Sequence, residues 1–186
     1  AGKKVACGPG INNVTLTKAI LQGNGITNAQ VIELPITQLL PAIASGQIDA
    51  AYVLEPTAVI GKQQKISKSI GAGVVSKYVL GDNLPWFGGA AALLTKTFKE
   101  KADLVPKYLK AYANGVDYVR KNGQEANQYL KGYTAIDGDL AKEVPISGYT
   151  TYDEVRGNDV KALQRLFDVF AERKVFEKQI PALNLL

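Results

Sequence analysis

The chain has 186 residues, a mass of 20.0 kDa, and 22 Lys and Arg against 17 Asp and Glu, for a formal net charge of +5. With 46% apolar and 21% charged residues it has an ordinary globular composition, which excludes a disordered, collagenous or disulfide-stapled chain. Histidine is absent and Cys7 is the single cysteine, so a Ser-His-Asp triad, a Cys-His dyad, an imidazole metal site and an internal disulfide are all excluded.

Lys3 to Cys7 (KKVAC) turns from basic to apolar, as a buried strand does, and Gly8-Pro9-Gly10 breaks it. Ile11 to Asn24 reads as a helix, with Val14, Ala19, Ile20 and Gly23 sharing a face and Asn12 or Asn13 as its N-cap. Gln30 to Leu34 is a second strand stopped by Pro35. Ile36 to Ser45 is a second helix with Leu39, Leu40 and Ile43 as its stripe. An interior proline costs about 3 kcal/mol, so Pro41 requires this helix to start late or kink. Asp49 to Leu54 is a third strand, and Glu55-Pro56 opens a third helix. Such short connections between strands imply parallel pairing with helices on both faces.

Ile66 to Ile70 is a candidate further strand, and Val74 to Pro85 reads as a loose connection. Trp86 to Leu94 reads as extended. The clearest helix runs from Asp103 to Lys121, where Val105, Leu109, Tyr112, Val116 and Val119 recur at helical spacing. Gln124 to Leu130 and Asp137 to Glu143 are shorter helices, the latter capped by Asp137. Ser147 to Val155 is rich in turns, Asn158 caps a last helix through Val175, and Ile180 to Leu186 shows no element. No apolar run approaches the roughly 18 residues of a membrane-spanning helix. Lys62, Lys65, Lys68 and Lys77 are scattered, and Lys96 to Lys110 mix with Glu100 and Asp103, so no nucleic-acid footprint is present.

The order of features resembles an ABC-importer solute-binding protein of the sulfonate/nitrate/taurine type, with the type II periplasmic-binding fold. Four stretches carry the likeness: Gly2 to Ala6 followed by Pro9-Gly10; Leu34-Pro35 with Ala42-Ile43-Ala44-Ser45-Gly46-Gln47-Ile48-Asp49-Ala50; Glu55-Pro56; and Leu93-Leu94-Thr95-Lys96 leading to Leu104-Val105. The resemblance implies an α/β fold: a doubly wound three-layer lobe over residues 1–85, then a mostly helical segment over 86–186 that would complete the other lobe. The N-terminal part of that other lobe is expected upstream of Ala1. It further implies a binding protein rather than an enzyme, without cofactor. Its partners would be a small-molecule ligand and the membrane subunits of an ABC importer, in a periplasmic or membrane-anchored extracellular setting. Uncovered helix faces favour self-association of the chain.

The candidate binding residues gather at the edge where strands end. Free amides and the dipole of the helix beginning near Asn12 favour an anionic group. Gly10 lets the backbone approach, and Asn12, Asn13 and Thr15 offer side-chain hydrogen bonds. Ile11 and Asn12 stand where the family often shows Ser-Thr, which points to a larger or less charged ligand than a bare sulfonate or nitrate. Tyr52 and Glu55 follow the third strand, at the edge that faces the ligand crevice in open α/β sheets; the plainer alternatives are a core tyrosine and a helix-capping glutamate. Trp86 either covers a ligand or packs a hinge. Two other functions fit this kind of fold: the effector lobe of a regulator, and an enzyme resembling the pyrimidine synthase of thiamine biosynthesis. The latter depends on histidine, which this chain lacks.

Overall fold

A computed structural model describes residues 2–81, 84–133, 136 and 138–185. Three strands, β1 (Lys4–Cys7), β2 (Gln30–Glu33) and β3 (Ala50–Tyr52), form a parallel sheet in the order β2-β1-β3. The register sets Cys7 beside Glu33 on one side and Tyr52 on the other. All three strands therefore end at one edge.

Helices α1 (Ile11–Gly23), α2 (Ile36–Ala44) and α3 (Thr57–Gln63) follow the three strands. Strand side chains alternate between faces, and two separate cores result. On one face Ala6, Ile32 and Ala51 meet Leu39 and Ala42 of α2 and Ile48. On the other, Tyr52 packs with Leu16 and Ala19 of α1, and with Val75, Val79, Ala162 and Val169. The helix-sheet-helix layering expected from the short connections is present.

Pro41 lies inside α2, which neither starts late nor gives up its first turn. Pro41 and Thr37 are both exposed, so water can reach the carbonyl that the ring leaves without an N–H partner. Residues 66–70 form no strand. The stretch read as a loose connection instead contains a π-helical turn, Ser76–Leu80, whose Val79 and Leu80 are buried. Tertiary packing on α1 overrides the local glycine signals there.

The chain divides into two compact units, residues 1–86 with 156–186, and residues 87–155. The sequence boundary at residue 86 separates α/β alternation from helix, whereas packing groups the last helix with the α/β unit.

The second unit holds α4 (Thr95–Glu100), α5 (Leu104–Lys121), α6 (Gly123–Ala126), α7 (Leu130–Tyr133, interrupted at Lys131 and Gly132) and α8 (Gly138–Glu143). Asp137, expected to cap α8, lies outside the described residues. Arg120 ties the unit together by donating to both Glu154 oxygens at 2.6 Å and to the Tyr149 carbonyl. Of the expected α5 stripe, Val105 and Val116 are buried and Val119 is half-buried, while Leu109 and Tyr112 are exposed.

In the first unit, α9 (Gly157–Glu172) is capped by Asp159, which accepts the Arg156 N–H at 2.7 Å; Asn158 lies one residue inside the helix rather than at its cap. The tail is not featureless. Ala182–Leu185 makes a 3-10 turn, and Gln164 holds it by accepting the Ala182 N–H at 2.8 Å and donating to Ile180 at 3.2 Å.

Candidate functional site

β1 delivers the chain to the sheet edge at Cys7, and Gly8-Pro9-Gly10 turns it into α1. Gly10 has φ +107° and ψ 149°, a backbone region that L-residues avoid. No side chain caps α1, and no acidic residue occupies its first turn. Gly10, Ile11 and Asn12 are exposed at this opening, Ile11 to 64%.

The turn has one anionic neighbour already. The Gly10 N–H donates to Glu33 Oε2 at 2.7 Å, so the last residue of β2 places a carboxylate beside the helix start. Sequence reasoning missed Glu33 because its proximity depends on β2 lying beside β1, and no local signal encodes strand order. The two other hydrogen-bonding candidates are turned inward. Asn13 is half-buried, and its Nδ2 donates to the Pro9 carbonyl at 3.0 Å, bracing the turn. Thr15 is 4% exposed.

Tyr52 ends β3 and is half-buried against Leu16 and Ala19, with Trp86 packed on the same cluster. Its Oη is buried and, among the described residues, has no hydrogen-bond partner. Burial raises its pKa to about 12, with the neighbouring Cys7 adding to the effect, so the phenol stays a donor at all ordinary pH. Cys7 itself is fully buried. Desolvation pushes its thiol up, opposed by a hydrogen bond with Thr17, so it is no ready nucleophile.

Glu55 is exposed, and its Oε2 accepts the Val59 N–H at 3.2 Å. It therefore serves the first turn of α3, as the plainer reading of its position implies. Gly10, Ile11, Asn12 and Glu33 thus gather at one turn, while Tyr52 and Glu55 belong to the same sheet edge across β1. Two shallow hollows lie elsewhere on this unit, toward the C-terminal half of α1. One of about 220 Å³ is lined by Lys18, Gln22, Thr27 and Arg173, and one of about 270 Å³ by Gln22, Tyr78, Arg165 and Arg173. Among the described residues, no cluster of His, Cys, Asp or Glu could hold a metal ion, and no helix is long and apolar enough to cross a membrane.

A small parallel sheet with helices on both faces and an uncapped helix start at its strand-end edge is an α/β arrangement of the type in which ligands bind beyond the carboxyl ends of the strands. Residues 1–126 match the family described as NMT1/THI5 like, and the chain belongs to that family. The family is that of the sulfonate/nitrate/taurine-type binding proteins; it includes periplasmic solute-binding proteins, and its THI5 members are related to synthesis. No curated protein and no solved structure matches the chain.

Proposed function

We propose that the chain captures a small solute carrying both an anionic group and an amine, in the manner of an aminosulfonate such as taurine, and hands it to an ABC importer outside the cytoplasmic membrane. The observation that carries this reading is the uncapped start of α1 at Gly10 to Asn12 with the Glu33 carboxylate 2.7 Å from the Gly10 nitrogen. The helix amides and dipole attract negative charge. Glu33 makes the same turn less welcoming to a bare anion, and accepts a hydrogen bond from an ammonium group. A zwitterion satisfies both at once, consistent with Ile11 and Asn12 standing where hydroxyl donors would suit a bare oxyanion.

Binding without turnover is the output of this reading. Histidine is absent, Cys7 is buried with its thiol pKa raised, and Glu33 and Glu55 are each engaged with a backbone amide. Thermal unfolding in the presence of taurine, simple alkanesulfonates, nitrate, organic carboxylates and aminopyrimidines tests it. A ligand at a hundred times its Kd stabilises by about 2.7 kcal/mol, enough to move the melting temperature by several degrees. Stabilisation by taurine-like zwitterions above the matched amine-free anions supports the reading. Equal stabilisation by the amine-free anions removes the role of Glu33, and no response to any anionic solute removes the site.

A further inference from the structure

We propose that the far end of α1 carries a second binding site, for a phosphate group, in the hollow of about 220 Å³ where α1, the start of β2 and the end of α9 meet. Two cations from distant parts of the chain line it: Lys18 of α1, exposed, and Arg173 just after α9, half-buried. Among the described residues no carboxylate lines this hollow, and neither cation has an ion pair. Arg173 makes one side-chain hydrogen bond, donating Nη2 to Gln22 Oε1 at 2.5 Å. Glu172, at the neighbouring hollow, is taken by Arg165 at 2.8 Å. Glu33 stands at the opposite end of β2, engaged with Gly10.

The plain use of cations at helix ends is to satisfy the last carbonyls and oppose the dipole. Here the backbone already satisfies those carbonyls. The amides of Asn24, Gly25 and Ile26 donate to the carbonyls of Ile20, Gln22 and Leu21 at 3.2, 2.9 and 2.9 Å, closing α1. Those of Arg173, Lys174 and Val175 donate to Val169, Ala171 and Phe170 at 3.1, 2.9 and 2.8 Å, closing α9. The side chains of Lys18 and Arg173 are therefore left to the hollow. Residues 87–155 carry nine Lys and Arg and nine Asp and Glu, so the whole net charge of +5 resides in the unit that holds it. That background favours an anion.

The donor set selects the anion. Gln22 engages one nitrogen of the Arg173 guanidinium, and the remaining N–H groups suit two oxygens of one oxyanion side by side. Lys18 adds a second positive charge, one helical turn before Gln22 on the same face. A carboxylate balances only one of these cations. A phosphate monoester, with a charge of about −1.5 to −2 at pH 7, balances both. Thr27 adds a hydroxyl, and Leu21, Ile26 and Val31 give an apolar wall for the carbon skeleton of an ester. At 1.5 Å per residue Gln22 lies about 18 Å along α1 from Gly10, so the site is separate from the helix opening.

Thermal unfolding of the full chain in inorganic phosphate, against acetate and chloride at matched ionic strength, is expected to show the higher melting temperature in phosphate. Titration calorimetry with inorganic phosphate is expected to show binding at least roughly tenfold weaker for Lys18→Gln and for Arg173→Gln, each the loss of a charged hydrogen bond, with unchanged far-ultraviolet circular dichroism. The double variant Lys62→Gln, Lys65→Gln removes charge elsewhere on the same unit and is expected to bind phosphate as wild type does. Flotation with phosphatidylcholine vesicles containing phosphatidic acid identifies the source of the group. Co-flotation that Arg173→Gln abolishes assigns a lipid headgroup, and phosphate binding without co-flotation assigns a soluble ester. A response to phosphate no larger than that to acetate overturns the proposal. An equal loss of phosphate binding in the Lys62→Gln, Lys65→Gln variant overturns it as well.

Discussion

The Glu33 carboxylate accepts the Gly10 amide at 2.7 Å, joining the end of β2 to the turn that starts α1. One charged side chain thereby opposes the positive end of the helix dipole at the opening. A charge at a helix terminus contributes about 0.3–1 kcal/mol at an exposed position, or roughly twofold to fivefold in affinity. Glu33→Gln is expected to strengthen binding of a bare sulfonate by that factor and to weaken binding of an aminosulfonate. Titration calorimetry with the two ligand types reads both changes, and movement of both in the same direction counts against the assignment.

Gly10→Ala tests the turn itself. A Cβ there meets nothing within 4 Å, so its cost comes from the backbone angle alone. Holding an L-residue at φ +107° costs about 1–3 kcal/mol, expected as a lower urea midpoint with an unchanged m-value.

Gly23→Ala probes a close approach of a different kind. An added Cβ would lie 2.7 Å from the Tyr78 carbonyl oxygen, where the π-helical turn crosses the end of α1. Backbone cannot step aside as a side chain can, so a loss of about 1–3 kcal/mol is expected by denaturant titration, despite alanine's better helix propensity.

Tyr52→Phe separates a structural role from a binding role. The Tyr52 hydroxyl is buried without a partner among the described residues, so removing it is expected to leave stability unchanged or improved. If that hydroxyl donates to the solute, ligand affinity falls while the melting temperature of the free protein holds. Unchanged affinity assigns Tyr52 to packing alone.

Acid is expected to loosen the helical unit late. Arg120, and after it the Thr151 backbone and side chain, hold the Glu154 carboxyl at about 2, below its ordinary 4.5. A depressed folded-state pKa stabilises above the ordinary value, and that contribution is lost as pH falls from about 4.5 through about 2. Glu154→Gln is expected to be less stable than wild type at pH 7, with the difference vanishing near pH 2. Acid titration followed by circular dichroism, run on both proteins, measures the convergence.

The alternation of strand and helix up to residue 63 is legible because glycine and proline punctuate it at each boundary: Gly8 to Gly10, Pro35, Gly46 and Pro56. The exposed half of the helix opening, Gly10 to Asn12, is legible for the same reason. Glu33 is not, because strand order is a nonlocal property, and neither is the inward turn of Asn13, whose partner is the Pro9 carbonyl. Ser76–Leu80 escapes a local reading since Gly73 and Gly81 frame it as a loop; contacts with α1 and α9 make it helical. Leu109 and Tyr112 fit an apolar stripe by spacing, yet spacing states only which residues share a face, not whether anything covers it.

The central position of β1 constrains how the sheet comes together. Of the three strands in this sheet, the one earliest in the chain is flanked on both sides, and its outer edge is closed only when Asp49 reaches Lys3 at 2.5 Å and accepts the Lys4 amide at 2.8 Å. As the nascent chain leaves the ribosome, an early β1–α1–β2 unit still shows an open edge of backbone. The middle strand stays available to mispair until Tyr52 has emerged, and that interval is where a chaperone would have most to protect.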